Sequence, residues 1–128
     1  MSDLKGQIAV VTGSSRGIGK GIALALAEQG CTVYATGRTI GDGDRTIDTT
    51  ARQVTEAGGE GHAIRCDHGD DDDIARLFEQ IGQEAGRIDI LVNNVGAVLK
   101  LGNFLEVSDQ DWENSFQLNL MSAVRLCR

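Results

Sequence analysis

Four short apolar runs, Ile8–Val11, Thr32–Thr36, His62–Cys66 and Ile88–Val92, alternate with stretches whose apolar residues recur at helical spacing. The first such stretch, Gly17 to about Glu28, carries Ile18, Ile22, Ala25 and Leu26 and stops at Gly30. The second carries Ile47, Ala51 and Val54 and ends at Gly58-Gly59. The third carries Ile74, Leu77, Phe78 and Ile81. A tight turn can join only antiparallel neighbours, whereas a helix between two strands brings the second back parallel to the first by a right-handed crossover. The pattern therefore predicts an α/β chain with a parallel sheet and helices on both faces. The unbroken apolar run Ile88–Val92 suits a strand covered on both sides. A long loop follows to Val107. Ser108-x-x-Asp111 then reads as a capping box with Asp in place of Glu. It opens a last helix whose buried side is expected to hold Trp112, Phe116, Leu120, Ala123, Val124 and Cys127. No repeat, low-complexity segment or linker divides the 128 residues, which suffice for one domain with a core.

Between the first strand and the first helix stands Thr12-Gly13-Ser14-Ser15-Arg16-Gly17-Ile18-Gly19. A glycine turn leading into a helix places an anion against unpaired amides and the positive end of the helix dipole. The residue types exclude a P-loop: Ser14 stands where the first glycine is needed, and Gly21 where the magnesium-binding hydroxyl belongs. The common G-x-G-x-x-G spacing also fails, because the third glycine falls on Ile22. What remains is T-G-x-x-x-G-x-G, a turn built to hold a nucleotide phosphate.

Composition limits the partners. The formal charge of −7 disfavours nucleic acid and anionic membrane. No apolar run approaches the roughly 20 residues that span a bilayer, and residues 1–7 lack a signal-like apolar stretch, so a cytoplasmic location is expected. Cys31, Cys66 and Cys127 are widely separated with no C-x-x-C, which argues against zinc and for three small buried side chains. No metal site is expected. The Asp70–Asp73 run precedes the third helix and complements its dipole; it lacks the spacing of a calcium loop. His62 and His68 have no evident catalytic partner and read as solvated or hydrogen-bonded surface residues.

The glycine turn resembles the cofactor turn of the short-chain dehydrogenase/reductase family, and three further sites strengthen the likeness. Asn93-Asn94-Val95-Gly96 ends the fourth strand where that family carries N-N-A-G, with Val95 in place of alanine. Cys66-Asp67 ends the third strand. Phe116-Gln117-Leu118-Asn119 is similar to the segment that bears the asparagine of the family's catalytic tetrad. Val33-Tyr34-Ala35-Thr36-Gly37-Arg38-Thr39 further resembles a member 1-like subgroup. Taken singly, Asn93 also reads as a strand-end turn, Asp67 as a helix cap and Asn119 as a helix-face amide. The resemblance covers essentially the whole chain. It implies a Rossmann-type sheet of order 3-2-1-4. It implies a nicotinamide cofactor held by Thr12, Gly13, Ser15, Arg16, Gly17, Ile18, Gly19, Arg38, Asp67, Asn93, Val95 and Gly96. Asp67 would accept from the adenine amino group, and Asn119 would be the catalytic residue.

Charge selects among cofactors. Chains that bind NAD place an acid after the second strand, for the ribose 2′-hydroxyl. Here Gly37 is followed by Arg38, and Arg16 stands in the turn, so a 2′-phosphate is favoured: NADP(H) is the expected cofactor, with NAD(H) the alternative. Family members transfer hydride to a carbonyl or from an alcohol, using a serine and a Tyr-x-x-x-Lys pair that do not occur here. Tyr34-x-x-x-Arg38 is no substitute, since four residues of strand span about 13 Å. Residues 1–128 are thus expected to form an NAD(P)-binding domain incomplete at its C-terminus, the sheet stopping after about four strands. The fourth strand would be an apolar edge. The resemblance also implies a small-molecule carbonyl or alcohol substrate and, for an intact enzyme, a homo-oligomer packed through the last helix. A non-catalytic nucleotide-binding or subunit-pairing protein is the alternative.

Overall fold

The computed structural model describes residues 4–96 and 101–128. The chain order is β1 (Ile8–Thr12), α1 (Gly17–Glu28), β2 (Thr32–Gly37), α2 (Ile47–Glu56), β3 (Glu60–Arg65), α3 (Asp71–Glu84), β4 (Ile90–Val92), α4 (Asp109–Phe116), a π turn (Gln117–Met121) and α5 (Ser122–Cys127). The four strands form one sheet in the order β3-β2-β1-β4, and every pairing is parallel. This is the expected Rossmann-type order. β3 begins two residues earlier than its apolar run, at Glu60. β4 is shorter than its run, because Asp89 lies before the ladder: its carboxylate accepts from Ile8 N–H (2.8 Å) and its own N–H donates to the Ile8 carbonyl (2.8 Å).

The period of two along β1 divides the core. Ala9 and Val11 face one side with Val33, against Ala23 and Ala27 of α1 and Val54 of α2. Val10 faces the other with Tyr34 and Ile64, against Ile74, Leu77 and Ile81 of α3 and Leu126 of α5. Helix ends follow residue chemistry. Asp70 caps α3 by accepting from Asp72 N–H (2.9 Å), and Thr46 caps α2 by accepting from Thr49 N–H (3.1 Å). Both halves of the Ser108–Asp111 capping box are present. Gly30, at φ +84°, ends the last turn of α1.

Three expectations are corrected. The last helix does not bury its predicted face: Trp112 (54%), Phe116 (48%), Leu120 (50%) and Val124 (43%) are exposed, while Ser122 and Leu126 are buried. The π turn takes more residues per turn than an α-helix, so it rotates everything after it and brings Leu126 onto α3. Cys127 is exposed as a result and accepts from the Asn93 side-chain amide (3.2 Å); Cys31 and Cys66 are buried as expected. His68 is buried, 3% exposed, rather than at the surface. His62 is half-buried, its ring stacked on Tyr34 with centroids 4.7 Å apart.

Candidate functional site

Thr12 ends β1 with its side chain buried, and its hydroxyl joins two strand ends. It donates to the Val92 carbonyl (3.3 Å) and accepts from Asn94 N–H (3.0 Å) and Val95 N–H (3.3 Å). Asn94 returns the tie by donating its side-chain amide to the Gly13 carbonyl (3.1 Å). Gly13 and Gly17 take φ +64° and +62°, the left-handed region that a turn this tight requires. Gly19 is needed for another reason. A Cβ there would run into the Gly13 carbonyl oxygen and stand 2.5 Å from Asn94 Nδ2. Its absence lets α1 start directly behind the turn.

Arg16 is the N-cap of α1, but its side chain makes no capping bond, and no acid occupies the first turn. α2, α3 and α4 are all capped by a side chain. The leading amides of α1 are thus left without a side-chain acceptor at the mouth of a cleft of about 500 Å³. Its lining includes Gly13, Ser15, Arg16, Gly17 and Ile18 from the turn, Arg38 after β2, and Val95 and Gly96 after β4. Among the described residues no Asp or Glu lines it, in a chain of net charge −7.

Eight of the residues expected from the sequence therefore meet in one cleft. The others stand behind or beside it. Thr12 and Gly19 build the turn from below. Asn93 points its amide at Cys127. The Asp67 carboxylate accepts from Gly69 N–H (2.9 Å) and is not part of the lining, although its neighbour His68 is. Asn119 lies in the π turn and donates to Ser115 Oγ (3.0 Å); its Oδ1 would be 3.3 Å from a Cβ on Gly96.

Six further residues line the cleft that are not among the site residues expected from the sequence: Gly37, Thr39, Arg45, His68, Asn94 and Leu118. Arg45 carried a signal, as a cation directly before the N-cap of the helix that follows the second strand. His68 carried none, because its burial depends on β2. Its Nε2 is 2.8 Å from Thr36 Oγ1. Burial pushes the imidazole down to about 4, against the raising pull of the Asp67 and Asp73 carboxylates and with a further lowering by Arg38. The ring is therefore neutral at pH 7.

A pH dependence of stability follows. The unfolded imidazole titrates near 6.5 and the folded one near 4, so the unfolded chain binds more protons between these values. His68 thus contributes stability in full above about pH 6.5 and loses it as pH falls toward 4, on the order of 3 kcal/mol in total. Urea unfolding at pH 7 and pH 4.5 measures it. The His68→Gln chain should show a clearly smaller loss; an equal loss in both chains would remove His68 as the cause.

Known proteins share this fold and much of this sequence. A family profile described as short chain dehydrogenase matches residues 7–128. Dehydrogenase/reductase SDR family member 1 of Mus musculus is 42% identical over 121 residues, covering 89% of this chain and 37% of that protein. The crystal structure of L-sorbose reductase from Gluconobacter frateurii, complexed with NADPH and L-sorbose, is 32% identical with a TM-score of 0.90, covering 100% of this chain and 48% of that one. The structure of an NADH-dependent reductase, A1-R′, complexed with NAD is 29% identical with a TM-score of 0.89, covering 98% of this chain and 50% of that one. The chain belongs to the short-chain dehydrogenase/reductase family. It spans half or less of the length of these relatives. Among the described residues no helix is long and apolar enough to cross a membrane.

Proposed function

We propose that residues 1–128 form the nicotinamide-nucleotide-binding part of a short-chain dehydrogenase/reductase, and that the cofactor is NADP(H). The carrying observation is the cleft at the start of α1, lined by arginines and, among the described residues, by no acid. The uncapped helix terminus and the glycine turn suit the pyrophosphate. Arg16 and Arg38 suit a 2′-phosphate, which an acid at the end of β2 would repel. Asp67 would accept from the adenine amino group, and Asn93, Val95 and Gly96 would support the nicotinamide side. Bound there, the nicotinamide supplies hydride chemistry to a small carbonyl or alcohol substrate in the whole protein. Asn119, beside Gly96, is the member of the catalytic set carried by this chain. The exposed row Trp112, Phe116, Leu120 and Val124 supports assembly as a homo-oligomer, since apolar patches of this kind mark interaction surfaces.

Fluorescence titration of the chain with NADPH and with NADH tests the cofactor reading. NADPH is expected to bind at least about tenfold more tightly, the equivalent of one charge-assisted hydrogen bond. Equal affinities would remove the preference, and no binding of either would remove the function.

A further inference from the structure

Arg45 lies seven residues after Arg38, across a glycine-bearing loop, yet both line the same cleft. The loop between them is tightly braced. Ile47 N–H donates to the Thr39 carbonyl (2.9 Å) and closes its base. Inside, Gly41 N–H donates to the Asp48 carboxylate (2.7 Å), the Thr46 hydroxyl to the Gly41 carbonyl (2.7 Å), and the Thr49 hydroxyl to the Gly43 carbonyl (2.7 Å). From outside, Lys20 Nζ holds the Asp44 carbonyl (3.2 Å), next to Arg45.

The same loop is fastened to the glycine turn. Ser14 N–H donates to the Thr36 carbonyl at the end of β2 (3.2 Å), and the Thr50 hydroxyl of α2 donates to the Ser14 carbonyl (2.8 Å). Thr46, Thr49 and Thr50 are almost wholly buried. Three cations on three chain segments are thereby held around one opening: Arg16 before α1, Arg38 after β2 and Arg45 before α2. None of the three guanidinium groups has an ion-pair partner among the salt bridges of the described residues. Like charges held together repel, and an anion with several acceptor oxygens relieves that repulsion.

We infer that Arg45 is a specificity residue for the 2′-phosphate of NADP(H), joining Arg16 and Arg38 on the lining of one cleft. The inference rests on the NADP(H) reading above. Its ligand chemistry is a phosphate monoester on the adenosine ribose, which adenosine 2′,5′-bisphosphate carries and adenosine 5′-monophosphate lacks.

Calorimetric titration with these two nucleotides tests it. Arg45→Gln should weaken the bisphosphate about tenfold and leave the monophosphate unchanged. Arg52→Gln removes the same charge from an exposed site on α2, where Arg52 pairs with Glu56 (3.9 Å), and should change neither. If Arg45→Gln binds the bisphosphate as the unmutated chain does while Arg38→Gln does not, Arg45 has no such role and the NADP(H) reading stands. If the Arg45 and Arg52 variants lose equal affinity, the effect is long-range charge and the inference also fails. If the unmutated chain binds both nucleotides equally, the NADP(H) reading and this inference fall together.

Discussion

Arg38→Asp should reverse the cofactor preference. The substitution removes one guanidinium from the cleft and puts a carboxylate at the end of β2. Loss of a charge-assisted hydrogen bond costs about 1.5–3 kcal/mol, or roughly 10- to 150-fold in NADPH affinity. The new carboxylate would also repel the 2′-phosphate, and it could accept from the 2′-hydroxyl of NADH. The change in the NADPH-to-NADH affinity ratio is therefore expected to exceed about 100-fold. Arg38 is exposed, so the fold should tolerate the change. Arg38→Gln separates the two effects: it should weaken NADPH and leave NADH as it was. A ratio unaltered by either variant would place the 2′ position away from Arg38.

Gly19→Val should have the largest effect on the chain as a whole. The added Cβ meets the Gly13 carbonyl oxygen and the Asn94 side chain, two groups already bonded to each other. Neither can yield cheaply: one is backbone at positive φ, and the other is tied to Thr12 through its own N–H. Overpacking of this kind costs about 1–3 kcal/mol. It should also push α1 away from the turn and take its leading amides out of register with a bound phosphate, so NADPH affinity should fall by about 100-fold or more. Gly21→Ala, half a turn further along, is the contrast. A Cβ there meets nothing within 4 Å, so the helix should gain about 0.5–1 kcal/mol from propensity, with binding unchanged. Urea midpoints and NADPH titrations of the two variants measure both effects. A Gly19→Val chain as stable and as tight-binding as the unmutated one would refute the close-approach account.

Much of this was legible in the residues. The spacing of apolar runs points to parallel strands, and the residue types and glycine spacing in the turn exclude two other phosphate loops. Glycines, caps and the acidic start of α3 act within a few residues of themselves, so their effects are written locally. Side-chain destinations at the cleft were less legible. Thr12, which the resemblance assigns to the cofactor turn, also joins β1 to β4 through its hydroxyl, and that tie exists only once Val92 and Asn94 arrive beside it.

The order of elements, the parallel sheet and the glycine turn with Arg16 and Arg38 near it are all written in local residue patterns. That Arg45 joins them, that His68 is buried against Thr36, and that the final helical segment turns Leu126 inward and leaves Trp112, Phe116, Leu120 and Val124 outside emerges only from long-range packing. The difference is one of range. Backbone propensity and capping are set by neighbours three or four residues apart. The placing of Arg38 and Arg45 on one cleft, and the meeting of His68 with Thr36 and of α5 with α3, depend on loop closure and on which helix face the π turn presents.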